Sequence, residues 1–244
     1  MTERTRTITR RELDELIAKR RKAEENESRE AAKMFLEVCR IGSDDLLEHA
    51  ANYLSNTMDG WLYAMRGVAR LAGVSEDIRR AFLNVYVEHK GLPRTVGNRA
   101  VMVKALRVLM PRGYQGAPLR LYRGTDADER RCGCYGFSWT TRREMAREFA
   151  ENRRMWSQTS ESNGKTRTTF DGSAVVLETV APAEAILLVR EPGTGRYDYT
   201  NGDFDEDEVI VDPCNLGQVK VIERLKALPP RKKVARPSIM ESEA

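Results

Sequence analysis

Up to about residue 110, apolar residues recur at intervals of three and four: Leu13, Leu16 and Ile17, then Leu46, Leu47, Ala50 and Leu54, then Trp61, Leu62, Met65 and Val68. This spacing is the one-sided stripe of amphipathic helices, and it predicts a helical N-terminal half without strands. Gly91-Leu92-Pro93 is expected to close a helix carrying Phe82, Val85 and Tyr86, because glycine suits a C-terminal cap and proline cannot continue the hydrogen-bond ladder. A further amphipathic segment, from about Gly97 to Met110, is stopped by Pro111-Arg112-Gly113.

After residue 113 the pattern changes to short apolar and β-branched runs separated by Gly, Pro, Asn and Asp, the punctuation of a strand-rich region. Strands are predicted over Leu119 to Tyr122, Gly136 to Thr141, Ser173 to Val180, Ala185 to Val189, Glu208 to Asp212 and Val219 to Arg224. One helix, Arg142 to Arg154, is expected between the second and third, with Met145, Phe149 and Met155 on one side; Thr141 is its expected N-cap, with Glu144 completing a capping box. Trp156 to Gly172 is polar and rich in Ser and Thr, and reads as a mobile loop. The expected organisation is therefore a helical N-terminal region over residues 1–112, a strand-rich core over 113–226, and a disordered tail over 227–244.

Composition adds limits. A hydrophobic content of 41% in 244 residues is enough for a packed core, and 41 basic against 37 acidic residues leave a net charge of +4, which weighs against a dedicated nucleic-acid binder. No apolar run is long enough to cross a bilayer, and the charged start from Met1 to Arg11 is unlike a secretory signal, so no membrane contact and a cytoplasmic location are expected. Cys39, Cys132, Cys134 and Cys214 are scattered, and Cys132-Gly133-Cys134 is too tight for a zinc knuckle. Reduced thiols and no metal are expected. Gly193-x-Gly195 lacks the third glycine and the helix of a dinucleotide-fold phosphate loop.

Three segments carry candidate chemistry. Glu206-Asp207-Glu208 opens the apolar run Val209-Ile210-Val211. In an extended chain the two glutamates share a face, with Cα atoms about 6 to 7 Å apart. Paired carboxylates serve as acid, base or stabiliser of a carbocation, whereas the surrounding Asp203, Asp205 and Asp207 also fit a solvated acidic strand end. In Leu119-Arg120-Leu121-Tyr122-Arg123-Gly124, a strand ends in an arginine whose planar fork suits a diphosphate, followed by a glycine that leaves the backbone accessible. Gly136-Phe137-Ser138-Trp139-Thr140-Thr141 places hydroxyls on a strand that runs directly into a helix.

In this order the three segments resemble the mono-ADP-ribosyltransferases of the arginine, serine, glutamate class, which includes clostridial-type toxins and vertebrate ectoenzymes. Arg123-Gly124 matches the arginine strand, Ser138-Trp139-Thr140 the Ser-Thr-Ser strand, Glu206-Asp207-Glu208 the Glu-x-Glu strand, and Phe149-Ala150 the Phe-Ala-like pair that ends the helix after the serine motif. The likeness covers about residues 119 to 224. Trp139 stands where the family has a small residue, and the interval from Arg123 to Ser138 is shorter than in many toxins, so Thr140 is the alternative to Ser138.

The resemblance implies an α+β fold, with a helical N-terminal region before a mixed, mainly antiparallel two-sheet core. It implies NAD as substrate without a metal. Arg123 would hold the NAD phosphates or adjoining ribose, Gly124 backbone groups the nicotinamide amide, and Phe149 would face the nicotinamide ring. Ser138 would orient Glu208, which would stabilise the charge that develops as nicotinamide leaves. Glu206 would activate an acceptor, with arginine on a protein favoured and nucleic acid left open, and the loop from Arg190 to Asp205, with Tyr197, Tyr199 and Phe204, would touch it. NAD hydrolysis at the same site, and a non-catalytic binding module using the helical half or Arg231-Lys232-Lys233, are the alternatives.

Overall fold

The computed structural model describes residues 9–89, 91–111, 114–154, 158–162, 165–170, 172–190 and 207–227. The first half is helical: α1 (Arg10–Ile41), α2 (Asp44–Ser55), α3 (Gly60–Val68), α4 (Glu76–Glu88), α5 (Leu92–Val96) and α6 (Arg99–Leu109). Their starts follow ordinary capping chemistry. Thr9 and Glu12 form a reciprocal capping box on α1, the Ser75 hydroxyl accepts from the N–H of Ile78, and the Asn98 side chain accepts from that of Val101.

Two details depart from the sequence expectation. Helix α4 ends at His89, and Gly91, with φ 97°, begins α5 instead of closing α4; Pro93 fits there because the first turn of a helix needs no proline N–H. Leu13, Leu16 and Ile17 keep their helical spacing, yet all three are exposed, because buried positions on α1 begin only at Ser28. Periodicity predicts the helix and says nothing of what covers its stripe.

The second half contains β1 (Leu119–Asp126), α7 (Ala127–Cys132), β2 (Ser138–Thr140), α8 (Arg143–Arg154), β3 (Gln158–Ser162), β4 (Lys165–Phe170), β5 (Ala174–Ala181), β6 (Ile186–Val189), β7 (Glu208–Val211) and β8 (Lys220–Leu225). Six strands form one sheet in the order β6-β7-β2-β1-β5-β8, with every neighbouring pair antiparallel. The chain is thus α+β; a mixed, mainly antiparallel two-sheet core was expected, and the six-stranded sheet is antiparallel throughout. The other sheet is the hairpin β3-β4, which occupies the segment read as a loop. Thr159, Thr166, Thr168 and Phe170 have strand propensity, and Asn163-Gly164 between the arms is a dipeptide favoured in two-residue hairpin connections. The Ser/Thr content had masked that signal.

The helical half and the sheet share one core. Phe35, Leu47, Leu54, Met65, Phe82 and Leu106 are buried in the same cluster as Phe137, Leu187, Leu188 and Ile210. Arg107 on α6 fastens the seam by donating to the Glu184 carbonyl at 3.0 Å and to the buried Asp212 carboxylate at 3.2 Å. On the same face of the sheet, over the β1–β5 pair, Ala146 and Ala150 of α8 pack against Ala174 and Val176. No helix among the described residues is long and apolar enough to cross a membrane.

Candidate active site

The sheet order places the three motif-bearing strands side by side, β7 next to β2 and β2 next to β1. Ser138 lies opposite Ile210, and Thr140 opposite Glu208. Directly opposed residues of an antiparallel pair project to the same face, so Ser138, Thr140 and Glu208 share one face. Trp139 and Val209 point the other way, into the cluster with Leu121 and Leu177. The large middle residue that departs from the Ser-Thr-Ser pattern is therefore a core residue.

Strands β1 and β2 meet at a single register pair, Tyr122 with Thr140. Toward Ser138, the Arg123 guanidinium fills the gap between them. Its Nη1 donates to the Ser138 carbonyl at 2.6 Å, and a side chain at Gly136 would collide with Nη2. Arg123 is held on its other edge by Glu129 of α7, a residue the sequence reading passed over. Nε donates to Oε1 at 2.8 Å and Nη2 to Oε2 at 3.0 Å, and the two side chains are only 17% and 13% exposed. The Thr125 hydroxyl and the Gly136 N–H also donate to Glu129. Burial acts to raise the Glu129 carboxyl, but the guanidinium and these donors outweigh it and hold the group below the usual glutamate value.

Helix α7 was also missing from the sequence expectation. Asp126 followed three residues later by Glu129 is an N-terminal helix signature, and the Glu129 N–H does donate to Asp126 Oδ1 at 2.8 Å. What that signature does not contain is the destination of the Glu129 side chain, which turns away from its own helix to Arg123.

Glu208 is the first residue of β7 and its side chain is 14% exposed. Arg190, just beyond β6, places Nη1 3.6 Å from Glu208 Oε2, and its backbone N–H donates to the Glu208 carbonyl at 2.9 Å. Asp207 has φ 43°, a left-handed conformation rare for a residue other than glycine. The chain therefore turns immediately before Glu208, and the extended geometry that would put two glutamates on one face does not run through Asp207. Glu206 lies outside the described residues, as do Tyr197, Tyr199, Phe204 and most of the expected acceptor loop.

The helical half supplies a further group. Tyr86 of α4 is buried, and its phenol is pushed up chiefly by that burial and then by the Glu208 carboxylate, while the neighbouring Ser138 hydroxyl and the Arg123 guanidinium act in the opposite sense. The position of Tyr86 in an amphipathic helix pattern marks it as core, and no local signal points to residues of the second half of the chain.

The remaining predicted residues have other surroundings. Gly124 pairs with Val176 in the β1–β5 ladder, and a Cβ there would run into the Ala146 carbonyl and lie 2.5 Å from the Ala150 nitrogen. Glycine is needed at 124 because α8 crosses β1 at backbone distance. Thr140 is buried and its hydroxyl accepts from the N–H of Arg142 at 3.0 Å, so Thr140, and not Thr141, makes the hydrogen bond at the entry to α8. Phe149, adjacent to Ala150, remains 39% exposed.

Comparison with known protein families, curated proteins and solved structures finds no match for this chain.

Proposed function

We propose that the crevice formed by β1, β2 and β7 takes NAD, and that the chain is an NAD-dependent mono-ADP-ribosyltransferase on an ADP-ribosyltransferase-like core. The observation that carries this reading is the adjacency of three strands distant in the chain, which sets Arg123, Ser138 and Glu208 on neighbouring strands, with the Arg123 guanidinium on the Ser138 carbonyl. The order of the motifs, and their likeness to the arginine, serine, glutamate class, support it from the sequence.

In this mechanism the terminal nitrogens of Arg123 bind the diphosphate of NAD, and Ser138, backed by Tyr86, steadies Glu208. The bond between C1′ of the ribose and the pyridinium nitrogen breaks, and its electron pair leaves with neutral nicotinamide. Glu208 stabilises the positive charge that develops on the ribose, and confinement in a partly buried crevice strengthens that attraction. The acceptor then adds its lone pair to C1′ and loses a proton, a step assigned to Glu206. Arginine on a protein is the favoured acceptor, because a guanidinium becomes nucleophilic only when a carboxylate draws off its proton.

Water as acceptor gives NAD hydrolysis from the same geometry. Incubation with NAD labelled in the adenylate portion, in the presence of protein and nucleic-acid acceptors, separates the outcomes. Label on protein is expected; label wholly in free ADP-ribose would replace transfer with hydrolysis, and intact NAD would overturn the enzyme reading.

A further inference from the structure

The structure assigns Glu129 as the positioning residue of this crevice: it clamps Arg123 along the Nε edge, so that an anionic ligand can be held only by the terminal guanidinium nitrogens. The assignment rests on the reading that NAD enters the crevice, and it names how the diphosphate is met.

A guanidinium carries five N–H groups. Nε and one hydrogen of Nη2 go to Glu129, and one hydrogen of Nη1 goes to the Ser138 carbonyl. One N–H on each terminal nitrogen is left without a partner among the described residues. Arg123 is thus already immobilised, and its two remaining donors are aimed by contacts that do not involve ligand. Glu129 is itself fixed. Besides Arg123 it receives the Thr125 hydroxyl and the Gly136 N–H, and its own backbone N–H is tied to Asp126. A carboxylate held by so many donors is a permanent anchor, not a gate that the ligand displaces. Three elements contribute to it: Thr125 from β1, Glu129 from α7, and Gly136 from the approach to β2, where the missing side chain makes room for Nη2.

Because the diphosphate lies away from the bond that breaks, loss of this anchor weakens binding of ground state and transition state alike, and the effect falls on KM. A residue that merely stabilised the fold would not produce that split.

The test uses the full chain with 15N-labelled arginine side chains. In the wild type, the Nε–Hε cross-peak of Arg123, identified by its disappearance in Arg123→Lys, is expected apart from those of exposed arginines, slow to exchange, and persistent below pH 4.5, the usual glutamate value. In Glu129→Gln the cross-peak joins the exposed arginines and the KM for NAD rises about tenfold with kcat within about threefold; Glu129→Asp, which keeps the charge, recovers part of both. Wild-type behaviour alone decides the matter if Glu129→Gln does not fold: an Arg123 cross-peak that exchanges like an exposed arginine overturns the assignment. So does a Glu129→Gln protein that keeps the cross-peak, or one that loses it with KM unchanged. A protected cross-peak that Glu129→Gln abolishes, in a protein that neither binds nor cleaves NAD, upholds Glu129 as the anchor of Arg123 and removes the NAD reading instead.

Discussion

Nη1 of Arg123 donates to the backbone carbonyl of Ser138 at 2.6 Å, linking two adjacent strands through a side chain at the point where their backbone ladder stops. This contact bridges β1 and β2 beyond their one register pair. It also ties the arginine motif to the serine motif directly, while the register of Thr140 with Glu208 brings the acidic motif to the same place.

The packing of α8 on the sheet depends on Gly124. Because a methyl group there would enter the backbone of α8 at Ala146 and Ala150, neither side of the contact can yield by rotating a side chain. Gly124→Ala is expected to cost about 1–3 kcal/mol, read as a lower midpoint in urea unfolding with the slope unchanged. An unchanged midpoint would mean that α8 does not cross β1 so closely.

In the proposed mechanism Tyr86 stands behind Ser138. Tyr86→Phe keeps the ring in the core and removes only the hydroxyl beside Ser138, so stability should change by no more than about 1 kcal/mol, while the kcat of nicotinamide release falls about tenfold. Equal kcat values for the two proteins would detach the helical half from catalysis.

The Arg123–Glu129 pair makes stability depend on pH in a defined window. The folded-state Glu129 carboxyl lies below its usual value of 4.5, so its contribution is present above pH 4.5 and is lost as pH falls through the lower, folded value. At neutral pH, Glu129→Gln leaves a half-buried guanidinium without its counter-charge and should be less stable by about 2 kcal/mol. Chemical unfolding at a series of pH values should show that difference shrinking below pH 4.5; a constant difference would contradict it.

Much of the fold was legible because it rests on local regularities. All six strands of the main sheet are expected within a few residues of their positions, from apolar runs between turn residues, and α8 and α6 from their amphipathic spacing. The hairpin β3-β4 was obscured because polar Ser/Thr strands lack the apolar alternation that betrays a half-buried strand. The site divides along the same line. Arg123, Ser138 and Glu208 carry recognisable neighbours in sequence, and their strands lie side by side in the sheet. Glu129 and Tyr86 owe their places to tertiary contacts: one leaves its own capping signature to reach Arg123, the other looks like any core aromatic of a helix. The left-handed turn at Asp207 is likewise invisible in a run of acidic residues that reads as continuous strand.

The most direct measurement is nicotinamide release from NAD by the wild type and by Glu208→Gln, a substitution that keeps the size of the side chain and removes its charge. The account predicts release by the wild type and a rate lower by about 100-fold or more in the variant, with NAD binding retained. Intact NAD with the wild type, or equal rates for the two proteins, would contradict it.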